Sequence, residues 1–309
     1  MTNFSSSPIF VYGALRSGTT LLRLMLKNHP GLQSPGEGDF LFDHISERDG
    51  AWRYDRDALT RDRIFKAKTL TLPDAVEGQA LAEHLIAEMA AKDTGQLHLS
   101  IHRNAPTMAA LFPEAKIIHL LRDPRDVARS SIGMGWAGNS YFGVDHWIGT
   151  ERDWDAARLA EANVLTVHYE KLMADLEGEL TRMCDFLDLP FEPAMLKYYE
   201  NSTYGPPDPG ISQKWKTKAG AREIALIEGR LGPLLQARDY IPGGDPAVPA
   251  GIEKLQLKVG NRLGRWRHNI RRYGAGLFFG HHAARVFGLK GVARRLADRQ
   301  EAIRIENLQ

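Results

Sequence analysis

The sequence predicts an α/β fold: a P-loop-like three-layer arrangement with a central parallel sheet, helices on both faces and a C-terminal helical extension. Three observations predict it. Short β-rich runs alternate with segments of helical period along the first two thirds of the chain. The first run, Pro8-Ile9-Phe10-Val11-Tyr12, passes directly into the glycine-rich stretch GALRSGTT (13–20) and then into a leucine-rich helix. From about residue 245 the strand-like runs stop, and a Pro/Gly-rich linker opens a basic segment.

Each element has its own signal. Leucine and methionine at helical spacing mark a helix over 20–27, stopped by His29-Pro30-Gly31. Residues 45–70 are charged and read as irregular. Val76, Leu81, Leu85, Ile86 and Met89 give an amphipathic helix over 73–92. Residues 97–101 read as a second strand, 106–112 as a short helix and 115–121 as a strongly apolar strand. A helix follows to about 131, then a strand over 164–169 and a helix over 175–188. Residues 201–220, rich in Gly, Pro, Ser and Lys, read as a long loop. The expected organisation is a catalytic domain over 1–244 and a basic helical extension over 245–309.

Composition narrows the class. Hydrophobic content of 43% and charged content of 25% suit a soluble globular chain. One cysteine, Cys184, excludes an internal disulfide and fits a reducing compartment. MTNFSSSP lacks the basic and apolar regions of a signal peptide, and no apolar run approaches about 18 residues, so a cytoplasmic location is expected. The net charge of +2 conceals an asymmetry. Residues 250–309 carry 13 Lys/Arg against 4 Asp/Glu, a balance of +9, which leaves −7 for the remainder. Such a segment suits an acidic counterpart, whether a membrane surface, a polyanionic substrate or a partner's face, and equally suits a solvated helix.

Two motifs carry chemistry. In GALRSGTT, Gly13, Gly18 and Thr20 fit the phosphate-loop pattern, but Thr19 stands where the lysine belongs. Main-chain N–H groups at such a turn and helix start favour an anion, and Arg16 inside the loop can fork onto one. The missing lysine favours a nucleotide whose 5′ end is not a metal-bound triphosphate. The second motif runs from Arg122 to Ser130, RDPRDVARS. An arginine at a strand end and a hydroxyl on the next helix can grip a further phosphate. The other reading is a helix start, Asp123 as N-cap before Pro124, with solvated arginines. No acidic or His/Cys cluster stands at metal-ligand spacing, so no metal is expected.

Taken in order, RSGTTLLRLMLKNHP and LLRDPRDVARS resemble the two signature motifs of sulfotransferases that use 3′-phosphoadenosine 5′-phosphosulfate (PAPS). HYEKLMADLEGELTRMCDFLDLPF (168–191) is similar to a segment that follows them. The resemblance covers about 8–235 and is closest to the bacterial and tyrosylprotein branch. It implies that Arg16, Ser17, Gly18, Thr19 and Thr20 cradle the 5′-phosphosulfate, that Arg122 and Ser130 bind the 3′-phosphate, and that Tyr169 lies near the adenine. Ser212 and Lys218, in SQKWKTK, would close over the 3′-phosphate.

The resemblance also implies a general base. Glu37, 21 residues beyond Arg16 in SPGEGDF, holds the position of the base in tyrosylprotein-type relatives. Asp39 beside it would raise its pKa. His102 competes, since the cytosolic branch uses a histidine. Relatives carry a lysine two residues before a proline; here that position is Asn104, with Arg103 or His102 as substitutes. His119 and Cys184 read as structural, and Trp136, Trp147 and Trp154 as core or acceptor-pocket aromatics. The implied reaction is in-line sulfuryl transfer to a hydroxyl, less readily an amine, leaving adenosine 3′,5′-bisphosphate. The acceptor is a small molecule, a glycan or a lipid-linked group, shaped by 40–70 and 133–160, with no nucleic acid involved. Two other readings stay open: a P-loop kinase of small metabolites, against which Thr19 speaks, and a PAPS binder without turnover, for which the missing lysine speaks.

Overall fold

The computed structural model describes residues 7–208, 210 and 212–306. Five parallel strands form the central sheet: β1 (Ile9–Tyr12), β2 (Leu32–Glu37), β5 (Gln96–Ile101), β6 (Lys116–Leu121) and β7 (Val164–His168). Their order is β2-β5-β1-β6-β7. Between β2 and β5 in the chain, β3 (Ile45–Arg48) and β4 (Ala51–Tyr54) make a separate antiparallel hairpin. Tyr12, the last residue of β1, pairs with Ile101 on one side and His119 on the other. The chain leaves β1 toward β2 and β5 and returns across it to β6 and β7. The carboxyl end of β1 is therefore the point at which the connections diverge and a crevice opens.

The sheet is covered on both faces, which is why its central strands read as continuous apolar runs. Successive β1 residues point to opposite sides. Phe10 and Tyr12 pack with Phe40, Phe42, Leu85 and Met89 in one core. Ile9 and Val11 pack with Leu22, Met25, Leu120 and Leu180 in the other. Cys184 lies in the second core with its thiol against the Met195 sulfur, and burial pushes that thiol's pKa up, as suits an inert residue.

Several elements differ from expectation. β2 was hidden by Pro35 and Gly36, which break a strand pattern; the ladder with β5 shifts register between Gln33 and Gly36 to admit them, as an edge strand can. Glu37 thus ends a strand instead of sitting in a loop. Residues 45–70 are ordered: the hairpin is followed by helices Arg56–Arg61 and Arg63–Lys68. Asp55 caps the first through the Ala58 N–H, and Asp62 caps the second through the Ile64 and Phe65 N–H groups. Each is too short to show a period. The 73–92 helix is confined to Gly78–Ala90, because Gly78 turns at a φ of 59° with the Trp52 carbonyl where a side chain would be. Helix Asp145–Ala156 was also unforeseen. It buries Trp147 completely, so that aromatic is core, and stacks the half-buried Trp154 on His119 at 3.9 Å against the core; Trp136 is exposed. The 201–220 loop contains a short helix, Trp215–Lys218.

The chain divides into two compact units. The first, residues 1–127, 146–219 and 233–241, holds the sheet. The second comprises 128–145, 220–232 and 242–309, including helices Gly251–Tyr273, Ala275–Val286 and Lys290–Glu306. The extension is thus built together with two earlier segments: the Gly138 N–H donates to Asn261 Oδ1 at 2.7 Å, and Arg222 forks onto Glu253. Among the described residues no helix is long and apolar enough to cross a membrane.

Leu22 is wholly buried one turn behind the glycine loop. Leu22→Ala is expected to lower stability by about 2–5 kcal/mol, read as a shift of the urea midpoint at unchanged slope.

Candidate active site

The glycine loop leaves β1 at Gly13, whose N–H donates to the Ile101 carbonyl at 3.1 Å. Arg16 and Gly18 turn it with φ of 74° and 99°, and a helix begins at Thr19. The first N–H groups of that helix have no acceptor within it and lie at its positive end. The Ser17 hydroxyl is buried without a partner among the described residues. A buried orphan donor beside unpaired helix N–H groups fits an anion. Gly18 is fixed by space as well as by φ: a Cβ there would lie 2.6 Å from the Tyr169 ring.

That ring forms a wall of a cleft of about 520 Å³ lined by Arg16, Gly18, Thr19, Thr20, Arg122 and Tyr169, with Tyr198 and Tyr204 beyond. The Arg122 guanidinium lies over the Tyr169 ring at 4.4 Å and donates to the Arg16 carbonyl at 3.2 Å. It therefore ties the ring to the loop. Behind it, Asp123 accepts the Arg125 N–H at 2.9 Å, the helix cap expected from sequence. Arg125, by contrast, is not solvated: it is buried, doubly bonded to Asp123 and stacked on the Trp215 ring at 3.6 Å. Trp215 in turn donates its ring N–H to Asp123 and its main-chain N–H to Asp126. Ser212 and Lys218 flank this anchored tryptophan; neither lines the cleft. Ser130 is half-buried in the helix Pro124–Gly133 and belongs to the second unit.

A second cleft, of about 440 Å³, is lined by Thr19, Thr20, Arg23, Glu37, Lys68 and Ser100, with Arg63 and Lys92 at its margin. Glu37 closes β2 opposite Ser100, whose hydroxyl is buried without a partner among the described residues. Lys68 donates to the Pro35 carbonyl at 2.7 Å. Burial pushes its pKa down to about 8; Glu37 opposes that fall, and Arg23 and Lys92 add to it. Thr19 and Thr20 belong to both clefts.

Asp39 has its own partner. It is buried and engaged with His102, accepting the main-chain N–H at 2.8 Å and lying 2.7 Å from Nδ1. Burial raises the Asp39 carboxyl, but the hydrogen bonds and charge of His102, with Arg103 behind, more than offset this and hold it below its ordinary value. With Nδ1–H donating to Asp39, Nε2 accepts the Thr19 hydroxyl at 3.2 Å. His102 is thus buried beneath the loop and lines neither cleft. Arg103 forks onto Asp43, and Asn104, in a left-handed turn, donates to the same carboxylate at 2.8 Å. Neither lines a cleft; Arg23, Arg63, Lys68 and Lys92 supply the cations of the second one. Contrary to the sequence expectation, one cluster at metal-ligand spacing does form: ligand atoms of Asp43, His44 and Asp62 lie within 4.8 Å of one another. Asp43 is already held by Arg103 and Asn104, and Asp62 by two helix N–H groups.

Lys68, Arg23, Ser100 and Trp215 were not singled out from sequence. Lys68 lies on a short helix and Ser100 on a strand with no motif about them; Arg23 lies within RSGTTLLRLMLKNHP, where nothing set it apart from its neighbours; Trp215 stood inside a segment that reads as a long loop.

A family model described as the sulfotransferase family matches residues 8–193. The chain belongs to the sulfotransferase family. This sulfotransferase is 30% identical over 213 residues to a Caenorhabditis briggsae protein named as a protein-tyrosine sulfotransferase, covering 65% of its own length and 71% of the relative's. It is 26% identical over 213 residues to protein-tyrosine sulfotransferase A of Caenorhabditis elegans, covering 63% and 53%. In fold it is similar to the sulfotransferase domain of the olefin synthase from Synechococcus PCC 7002, with a TM-score of 0.52, 23% identity and coverage of 75% and 98%. Both threonines of the loop, Glu37, His102, Arg122 and Tyr169 fall inside the matched stretch; Ser212, Lys218 and the extension fall beyond it.

Gly18→Ala forces a Cβ into the Tyr169 ring and is expected to weaken adenosine 3′,5′-bisphosphate binding roughly tenfold or more by calorimetry. Pairing it with Tyr169→Ala removes the clash, so the double variant is expected to lose less than the two single losses added.

Proposed function

We propose that this sulfotransferase moves a sulfuryl group from PAPS to a hydroxyl, or less readily an amine, with Glu37 as general base. The observation that carries the reading is the sharing of Thr19 and Thr20 by two clefts with different linings. One offers unpaired N–H groups, two arginines and aromatic rings, which suit a nucleotide with phosphates at both ends. The other offers a carboxylate among cations, which suits an acceptor that must lose a proton. A group transferred between the two passes the shared threonines.

In this reading the adenine lies toward Tyr169 and Tyr198, the 3′-phosphate meets Arg122, and the 5′-phosphosulfate meets residues 16–20. Ser212 and Lys218 flank the Trp215 anchor and cover the 3′-phosphate. The acceptor oxygen attacks sulfur in line. The S–O bond to the 5′-phosphate breaks, leaving adenosine 3′,5′-bisphosphate, and the acceptor proton goes to Glu37. Positive charge from Arg16, Arg23 and Lys68 stabilises the charge that grows on the sulfuryl and leaving oxygens. His102 is a positioning residue: held by Asp39, it fixes the Thr19 hydroxyl. The absent loop lysine is consistent with a donor that has no β/γ-phosphate pair to reach. The acceptor is a small molecule, glycan or lipid-linked group, or a protein tyrosine as in the named relatives.

Glu37→Gln is expected to lower kcat by roughly 10²–10⁴-fold in a radiolabelled-sulfate assay while adenosine 3′,5′-bisphosphate still raises the Tm. A loss of that size in His102→Ala, with Glu37→Gln nearly unaffected, would move the base to His102. Stabilisation by Mg·ATP and not by adenosine 3′,5′-bisphosphate would replace sulfuryl transfer with phosphoryl transfer.

Lys68 sets the alkaline limb. Its folded pKa of about 8 lies below the usual lysine value, so the residue is protonated below that pH and loses its charge above it. Acceptor kcat/KM, which reports the free enzyme, is expected to fall as pH rises through about 8. Lys68→Arg should abolish that limb, since a guanidinium does not titrate there.

A further inference from the structure

We propose that the second unit is a lipid-surface module: it seats anionic phospholipid headgroups in a basic pocket and lays an apolar helix stripe against the acyl boundary. The pocket, about 540 Å³, opens among helices Gly251–Tyr273, Ala275–Val286 and Lys290–Glu306. Lys258, Arg262, Arg265 and Arg285 line it, with His281 and His282, and no carboxylate is among its described lining residues. Four cations converging on one space, with no counter-ion among the described lining residues, leave a positive field that an anion relieves. Arginine forks match phosphate oxygens. Asn261, Asn269 and Gln300 add uncharged polar groups for a headgroup.

The neighbouring surface decides the occupant. Ile252, Leu255, Val259 and Leu263 recur at spacings of three and four along the helix Gly251–Tyr273 and form one apolar stripe. They are 49–69% exposed. The next step of that stripe is Trp266, a wall of the pocket, with the Arg262 guanidinium over its ring at 4.9 Å. Apolar side chains running into a basic, aromatic-walled pocket match the boundary where acyl chains meet phosphates. A free polyanion would account for the cations and leave the stripe in water. Phe279, Phe287, Leu289 and Val292 extend the exposed apolar surface of the same unit. The segment's balance of +9 gives charge complementarity to an anionic leaflet. No described helix is long and apolar enough to span, so the module would lie on the bilayer. The inference is independent of the sulfuryl chemistry; the unit lies outside the matched family stretch except for 128–145.

The test is flotation of the full chain with vesicles of phosphatidylcholine alone and of equal parts phosphatidylcholine and phosphatidylglycerol. Binding to the second and not the first is expected. Arg262→Gln/Arg265→Gln/Arg285→Gln should weaken it roughly a hundredfold, and Leu255→Gln/Val259→Gln should weaken it as well. Both variants replace exposed side chains, and an unchanged thermal shift with adenosine 3′,5′-bisphosphate verifies their fold. Equal binding to both vesicles, no binding, or binding indifferent to either variant overturns the proposal. So does a dimer in vesicle-free sedimentation that Leu255→Gln/Val259→Gln dissociates, which would assign the stripe to a second copy.

Discussion

Gly18 carries the chain from strand to helix at a φ of 99°, and the Tyr169 ring occupies the space its Cβ would need. That contact orders the site. It brings the end of β7, where Tyr169 begins a helix, against the loop that ends β1, although the two strands are separated in the sheet by β6. Arg122, from the end of β6, then stacks on the same ring and reaches the Arg16 carbonyl. Three successive strand ends are tied at one point. A left-handed residue without a side chain is what allows the ring to approach, so the loop's glycine matters for packing as much as for turning.

The loop is held from below by a different kind of interaction. Asp39, His102 and Thr19 form a buried chain of hydrogen bonds running from the residues after β2 through the end of β5 to the helix start. A buried carboxylate is costly unless paired, and its partner here is a histidine whose far nitrogen meets the loop threonine. The same arrangement separates the two carboxylates of SPGEGDF. Asp39 turns inward and is fully engaged; Glu37 ends its strand at the cleft, facing Lys68. Two acids two residues apart therefore have unlike environments.

Much of this was legible in the residues. The alternation of apolar runs and helical periods predicts the parallel sheet, and GALRSGTT and RDPRDVARS fall at strand ends as such a sheet requires. Tyr169 was marked by the family resemblance, at the end of an expected strand. What was hidden was hidden for physical reasons. Pro35 and Gly36 disguise β2 because they are tolerated at a sheet edge through a register shift. Lys68 looks like any surface lysine until the fold places it beside Glu37 and half-buries it. Trp215 sits in a stretch of lysines and polar residues, and only the Asp123, Arg125 and Asp126 contacts reveal it as an anchor. Asp39 parts from Glu37 because the chain leaves the strand at Gly38 and starts a short helix, which carries the Asp39 carboxylate to His102.

The geometry that joins these features is the pair of clefts meeting at Thr19 and Thr20. Its most direct measurement is a crystal structure with adenosine 3′,5′-bisphosphate bound. If the geometry is right, the 5′-phosphate rests on the N–H groups of residues 18–20, the adenine lies beside Tyr169, and the open end of the 5′-phosphate faces the Glu37 cleft. A nucleotide whose 5′-phosphate points away from Thr19 and Thr20, or whose base fills the Glu37 cleft, would contradict it.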